Sequence, residues 1–185
     1  MAAKPRKSGT TVLVIVDMMN TLAFPEGARL ARRALPAARR MAQLKARFIA
    51  RNAPVVYAND NFGAWHADFR TLVERCAAGK GAALVELLRP DDDDYYILKP
   101  RHSAFFATPL DILLRQLGVE RVVLCGIASD MCVAASAIDA RMLGYTVHVP
   151  ADCVQAETGA RNTAALRVLR ESFEISTVDA AYVRL

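Results

Sequence analysis

The stretch Val122-Val123-Leu124-Cys125-Gly126-Ile127-Ala128-Ser129-Asp130-Met131-Cys132-Val133 leaves the backbone few choices. A short β-branched apolar run reads as a buried strand, Gly126 as a tight turn, and the small residues after it as the start of a helix. Comparable strand signals recur at residues 12–16, 55–58, 95–98, 145–149 and 173–177, with stretches of helical spacing between them. Continuous apolar strands alternating with helices imply right-handed crossovers and a sheet covered on both faces. The expected fold class is therefore α/β, a three-layer α-β-α arrangement with a six-stranded, mainly parallel, Rossmann-like sheet.

The helices follow from breakers and caps. Pro36 suits the first turn of a helix running to about residue 51, with Asn52 as its stop. A short amphipathic segment spans about residues 64–76, and a helix over 82–88 is ended by Pro90. Thr108 caps a helix that starts at Pro109, buries Leu110, Leu113, Leu114 and Leu117, and stops at Gly118. The helix after Cys132 runs to about residue 143 and is closed by Gly144, and the last spans roughly 159–169. With 185 residues and 54% hydrophobic content there is material for one sizeable core but not two. Residues 11–185 are expected to form a single domain after a flexible N-terminal segment, residues 1–10.

Several function classes are disfavoured by what surrounds these elements. Lys4, Arg6 and Lys7 precede the first apolar run in the manner of a secretory signal, but Asp17 interrupts that run too early and no small-residue cleavage site follows. No stretch approaches the roughly 18 apolar residues of a membrane span. Cys76, Cys125, Cys132 and Cys153 form no CxxC pair and have no histidine at zinc-ligand spacing, so reduced thiols in a cytoplasm are expected rather than a metal knuckle or disulfide framework. The net charge of +5 is uneven: between residues 27 and 59 there is no acid, while Arg29, Arg32, Arg33, Arg39, Arg40, Lys45, Arg47 and Arg51 accumulate. Met41, Leu44 and Phe48 give that stretch an inward helical face, so the charges read as a solvated outer surface. A partner-binding footprint for an anion is the alternative. No aromatic residues interleave to stack bases, and neither nucleic acid nor membrane is expected as a partner.

In doubly covered parallel sheets, ligands bind beyond the carboxyl ends of the strands. Asp17 follows the first strand, Lys99 the third, and Cys132 the fourth. Each has an ordinary structural reading, as a cap, a surface charge and a packed thiol. Together they are an acid, a cation and a nucleophile on one edge. In the first turn of a helix, Cys132 would feel free amides and the positive end of the dipole, which can draw a thiol from about 8.5 to roughly 3.5–7.5. A carboxylate beside it can accept its proton, an ammonium can stabilise anionic charge, and amides after Gly126 can hold an oxyanion. Acyl transfer through a thioester is the implied chemistry.

Three segments carry a resemblance: Val14-Ile15-Val16-Asp17-Met18-Met19-Asn20, Leu98-Lys99-Pro100-Arg101-His102-Ser103-Ala104-Phe105, and Gly126-Ile127-Ala128-Ser129-Asp130-Met131-Cys132-Val133. In order and spacing they are similar to the signature segments of the isochorismatase-like cysteine hydrolases, a family that includes nicotinamidases and N-carbamoylsarcosine amidohydrolases. The resemblance implies Asp17 as general base and acid, Lys99 as the triad's cation and Cys132 as nucleophile. It also implies a cis peptide between Ile127 and Ala128, and an oxyanion hole from the amides of Ala128 and Cys132.

This chain departs from the family pattern at several points. Met19 stands where the family usually has glutamine. Asp60 is followed by Asn61 and Phe62 rather than the Asp-x-His of nicotinamidase metal sites, leaving only His66 nearby. No metal and no other cofactor are therefore expected, and nicotinamide is demoted as substrate. Family members that cleave the vinyl ether of isochorismate do so without this cysteine, so Cys132 favours an amide, carbamoyl or ureide bond in a small-molecule substrate. Vinyl-ether hydrolysis and a non-catalytic binding protein on the same fold remain the rivals. Phe24, Phe62, Trp65 and Phe105 fall in loops at the expected mouth and either line a substrate pocket or cover core. His102 is a substrate contact or a more peripheral group, His148 structural, Asp152 a group ordering the edge of the site, and residues 91–94 a solvated acidic loop. Cys76, Cys125 and Cys153 are read as packing. The resemblance also implies a homo-oligomer.

Overall fold

The computed structural model describes residues 11–63, 65–66 and 68–185. The segment 1–10, expected to be flexible, lies outside the described residues. The order of elements is β1 (Thr11–Val16), α1 (Gly27–Ala50), β2 (Val55–Asp60), α2 (Phe69–Ala77), α3 (Ala82–Leu88), β3 (Tyr95–Lys99), α4 (Leu110–Gln116), β4 (Arg121–Ile127), α5 (Ala134–Met142), β5 (Thr146–His148), β6 (Val154–Gln155) and α6 (Gly159–Phe173). All strand pairs are parallel, in the order β3-β2-β1-β4-β5, with β6 added to β4 beyond the end of β5. The sheet separates two apolar cores. Leu13, Ile15, Val123 and Cys125 face α1, α2 and α3, whereas Val12, Val14, Val122 and Leu124 face α4 and α5. Strands buried on both sides read as unbroken apolar runs, which is why β1 and β4 were legible.

Three elements differ from the sequence expectation. Helix α1 begins at Gly27, nine residues before Pro36, which lies inside it. Leu30, Ala34, Ala37, Ala38 and Met41 form one continuous buried stripe across the proline, so packing holds the helix where the local chemistry argues for a start. The sixth strand is not 173–177 but Val154–Gln155. Helix α6 runs on to Phe173 and closes at Glu174 in the left-handed region, leaving only a bridge between Ser176 and His148. The segment expected from residue 64 is helical only from Phe69, where the Asp68 side chain accepts from Thr71 N–H and caps it.

The charges of α1 are less solvated than expected. Lys45 is buried and pairs with Asp91 at 3.0 Å and Asp94 at 2.7 Å, pinning the acidic loop. Arg33 donates to the Ala156 carbonyl and to Gln155, and Arg47 to the carbonyls of Ala180 and Val183. Asp152 accepts from Ala180 N–H, so it orders the C-terminal segment and not the site. His148 is buried in β5 with its ring against the Val178 carbonyl, a structural placement.

The end of β4 is where the backbone is most constrained. Gly126 has φ +125°, and a Cβ there would lie 2.0 Å from the Val16 carbonyl oxygen. Gly126→Ala must therefore part β4 from β1 as well as strain the backbone, and should cost at least about 2 kcal/mol, read as a lowered urea midpoint.

Candidate active site

Register brings the three strand ends to one place. Val16 pairs with both Ala58 and Gly126, and Asp60 pairs with Lys99, so the residues just past β1, β3 and β4 emerge side by side. Asp17 leaves β1 in the left-handed region, φ 54°, with its N–H held by the Ala58 carbonyl. The loop behind it is tied to β2 by Asn59. Fully buried, Asn59 accepts from Met19 N–H at 3.1 Å and donates to the Met19 carbonyl at 2.7 Å. The Met19 side chain is itself fully buried, so the position that is usually glutamine in the family is here part of the core.

Lys99 is the hub. Its Nζ lies 2.9 Å from Asp17 Oδ2, 3.4 Å from Cys132 Sγ and 3.2 Å from the Arg101 carbonyl, with Asp60 Oδ2 at 3.6 Å. The other oxygen of Asp17 accepts from Asp60 N–H at 2.7 Å, and Asp17 also hydrogen-bonds Cys132. An acid, a cation and a thiol are thus in mutual contact inside a site where all three are buried. Cys132 lies on a wide turn, Ser129–Val133, whose Val133 N–H reaches back five residues to the Ala128 carbonyl. The peptide between Ile127 and Ala128 is cis. Ser136 Oγ donates to the Cys132 carbonyl at 2.6 Å and accepts from Ala104 N–H at 2.9 Å, locking the loop after β3 to the turn that carries Cys132.

The electrostatics correct one expectation. The Cys132 thiol is not drawn down by its helix; burial, together with the charge and hydrogen bond of Asp17, pushes it up to about 12, and Lys99 offsets this only in part. Burial is the larger cause, because a thiolate in a dry site loses its hydration, and the Asp17 carboxylate adds to it. Burial also raises Asp17, against the pull of Lys99. For Lys99, burial works against the ammonium but Asp17, Cys132 and Asp60 prevail, and it is held above its ordinary range. Burial and Asp17 thus favour the thiol form of Cys132, beside the Asp17 carboxyl. A thiol so raised ionises only as pH climbs, so iodoacetamide labelling mapped to Cys132 should keep rising from about pH 7 to 10, whereas a dipole-lowered thiol would level off near neutrality.

Four aromatic residues were expected at the mouth. Phe62, 47% exposed, and Trp65, 78% exposed, line a cleft of about 400 Å³ with Asp60, Asn61, Gly63, Pro100, Arg101 and Phe106. Asp60 joins this cleft to Lys99. Phe105 does not line it: it is buried and packs against Tyr145, while its neighbour Phe106 takes the outward position. Phe24 precedes α1, partly exposed, and is not among the lining residues. Neither this cleft nor a larger groove of about 660 Å³ beside α2 is lined by Asp17, Lys99 or Cys132. Asp60 turns one oxygen to Phe62 N–H and the other to Lys99, and no group of three or more His, Cys, Asp and Glu among the described residues could hold a metal ion. The nicotinamidase type of metal site does not fit these residues. His102, expected as a substrate contact or a more peripheral group, has its Nδ1 3.6 Å from Cys132 Sγ.

Comparison with known proteins agrees with this architecture. The isochorismatase domain model matches residues 11–180. An uncharacterised isochorismatase family protein, YaaI of Bacillus subtilis, is 34% identical over 157 residues, covering 85% of this chain and 87% of the relative. The crystal structure of an isochorismatase family protein from Desulfovibrio vulgaris superposes with a TM-score of 0.75 at 28% identity, over 93% of this chain and 95% of that one. N-carbamoylsarcosine amidase from Thermoplasma acidophilum superposes with a TM-score of 0.71 at 25% identity, over 96% and 100%. Matched by the family's domain from β1 to beyond α6 and by a relative along most of both chains, this chain belongs to the isochorismatase family of hydrolases.

Proposed function

We propose that the chain hydrolyses a C–N bond of a small molecule, in an amide, carbamoyl or ureide group, through a thioester on Cys132. The observation that carries this reading is the mutual contact of Asp17, Lys99 and Cys132, with Lys99 Nζ 2.9 Å from the carboxylate and 3.4 Å from the sulfur. As Sγ attacks the carbonyl carbon, its proton passes to Asp17, and the amides of Ala128 and Cys132 receive the oxygen's charge. Lys99 balances the negative charge spread between carboxylate and sulfur. Collapse breaks the C–N bond, and the proton on Asp17 leaves with the nitrogen. Water then cleaves the thioester.

A thiol at rest suits this sequence, because the proton that Asp17 accepts is the one the departing nitrogen needs. Similarity to N-carbamoylsarcosine amidase supports a carbamoyl or related substrate. The cleft beside Asp60 offers Phe62, Trp65 and Phe106 as flat walls and Arg101 for an anionic group, which favours a small planar substrate carrying a carboxylate. The reading includes a cytoplasmic setting, to which four free cysteines are suited, and self-association, for which the exposed Met142, Val168 and Tyr182 offer apolar surface. No helix among the described residues is long and apolar enough to cross a membrane.

Primary amides, N-carbamoyl amino acids and ureides, screened for ammonia release, test the reading. Release from one of these classes is expected. Cleavage of a vinyl ether with release from none of them would overturn it.

A further inference from the structure

On its buried side the Cys132 sulfur meets Lys99, 3.4 Å away, and the Asp17 carboxyl. A further neighbour is exposed: His102 Nδ1 stands 3.6 Å from Sγ, within reach of a hydrogen bond to sulfur. The loop that carries His102 is fixed to the turn that carries Cys132, since Ala104 N–H donates to the Ser136 hydroxyl and that hydroxyl donates to the Cys132 carbonyl. The imidazole is therefore held beside the sulfur on the side from which a substrate arrives, and the reaction above does not use it.

An acyl carbon bonded to sulfur carries two other groups. In the reading above, its oxygen turns to the amides of Ala128 and Cys132. Lys99 and Asp17 fill the inner side, so the remaining substituent points outward and meets the imidazole. We propose that His102 recognises this substituent, a ring nitrogen accepting a hydrogen bond from an N–H on the acyl carbon. This rests on the acyl-enzyme reading and narrows its substrate class. The urea-type carbonyl of a carbamoyl or ureide group has nitrogen on both sides, so one nitrogen stays on the acyl carbon after the other leaves, and it has a proton to donate. A carboxamide leaves carbon in that place, with nothing to donate. His102 thus selects carbamoyl and ureide substrates over simple amides, because a polar group built to pair with the substrate is left without its partner by the analogue that lacks the donor. Arg101, the preceding residue, lines the neighbouring cleft, so one loop offers an acceptor for the N–H and a guanidinium for a carboxylate.

Two p-nitrophenyl esters of nearly the same shape isolate the contact: the propionate and the N-methylcarbamate, which differ by CH2 against N–H beside the carbonyl. Each acylates the thiol as p-nitrophenolate leaves without needing a proton, and comparing variant with wild-type chain ester by ester cancels the difference in their intrinsic reactivity. In His102→Phe, which keeps a flat ring and loses the acceptor, the burst with the carbamate should slow by about 10-fold and that with the propionate by no more than about 2-fold, the upper end of what one neutral hydrogen bond is worth. His102→Gln, which brings an acceptor back, should recover most of the carbamate rate. Recovery confined to one ester is a result that a merely structural role would not give. Equal slowing of both esters, no change in either, or a greater loss with the propionate would each overturn the role of His102 while leaving the acyl-enzyme intact. Absence of a Cys132-dependent burst with both esters in the wild-type chain would instead sink the thioester reading, and the assignment of His102 with it.

Discussion

Replacing Cys132 with alanine should lower hydrolysis of a C–N substrate by at least about 10⁴-fold, because removing a nucleophile leaves only binding and oxyanion stabilisation. The protein should remain folded. Cys132 is small, and the contact between Lys99 and Asp17 at 2.9 Å does not depend on the sulfur. Taking away the thiol also removes a group that raises Lys99, yet Asp17 and Asp60 remain beside it. Circular dichroism and a thermal melt close to that of the wild-type chain would show that the loss is chemical. The rival reaction gives the opposite result, since a vinyl-ether hydrolase using Asp17 alone would keep most of its rate in Cys132→Ala.

Asp17→Asn should cost about 10³-fold in kcat, within the range attributed to a positioned acid or base. Asparagine is the appropriate replacement because it tolerates the left-handed conformation that Asp17 adopts at φ 54°, where alanine would add backbone strain. It can still accept from Asp60 N–H, so the strand end should survive. The same variant should change the thiol in the other direction. Burial remains, but the charge and hydrogen bond of Asp17 that hold Cys132 up are gone, while Lys99 at 3.4 Å still favours the thiolate. With the folded-state pKa lowered, the thiolate fraction at a given neutral pH rises, and iodoacetamide labelling of Cys132 should become faster than in the wild-type chain. A variant that is less active and yet more readily alkylated would separate the base from the nucleophile. Slower labelling would contradict the account, since it would mean that Asp17 favours the thiolate at rest.

The central sheet was legible because β1 and β4 are covered on both faces and so carry apolar side chains at every position, a signal that survives without tertiary context. That strand order then placed Asp17, Lys99 and Cys132 on one edge. What was hidden depended on packing across the chain. Pro36 has the local chemistry of a helix start, yet the stripe from Leu30 to Phe48 lies on one side of α1 and carries the helix through it. Val154–Gln155 is too short to show periodicity, and it is a strand only because Gly126 and Ile127 offer their open backbone groups there. Phe105 and Phe106 are adjacent and chemically alike, and which of them turns inward is decided by Tyr145 on a distant segment. The thiol was misjudged for the same reason. A helix terminus can be read from a sequence, whereas the burial that chiefly raises the thiol, and the Asp17 carboxylate that adds to it from 115 positions earlier, depend on packing that no local pattern records. Asn59 did leave a trace, as a lone amide ending an apolar strand, and such a residue is worth marking as a tether.

The most direct test is to quench the wild-type chain in acid during turnover of a C–N substrate, digest it, and map the acyl group by mass. The account predicts a thioester on the peptide containing Cys132, removable by hydroxylamine and absent from Cys132→Ala. Turnover that proceeds with no adduct at any quench time, or an adduct on Cys76, Cys125 or Cys153 instead, would contradict it.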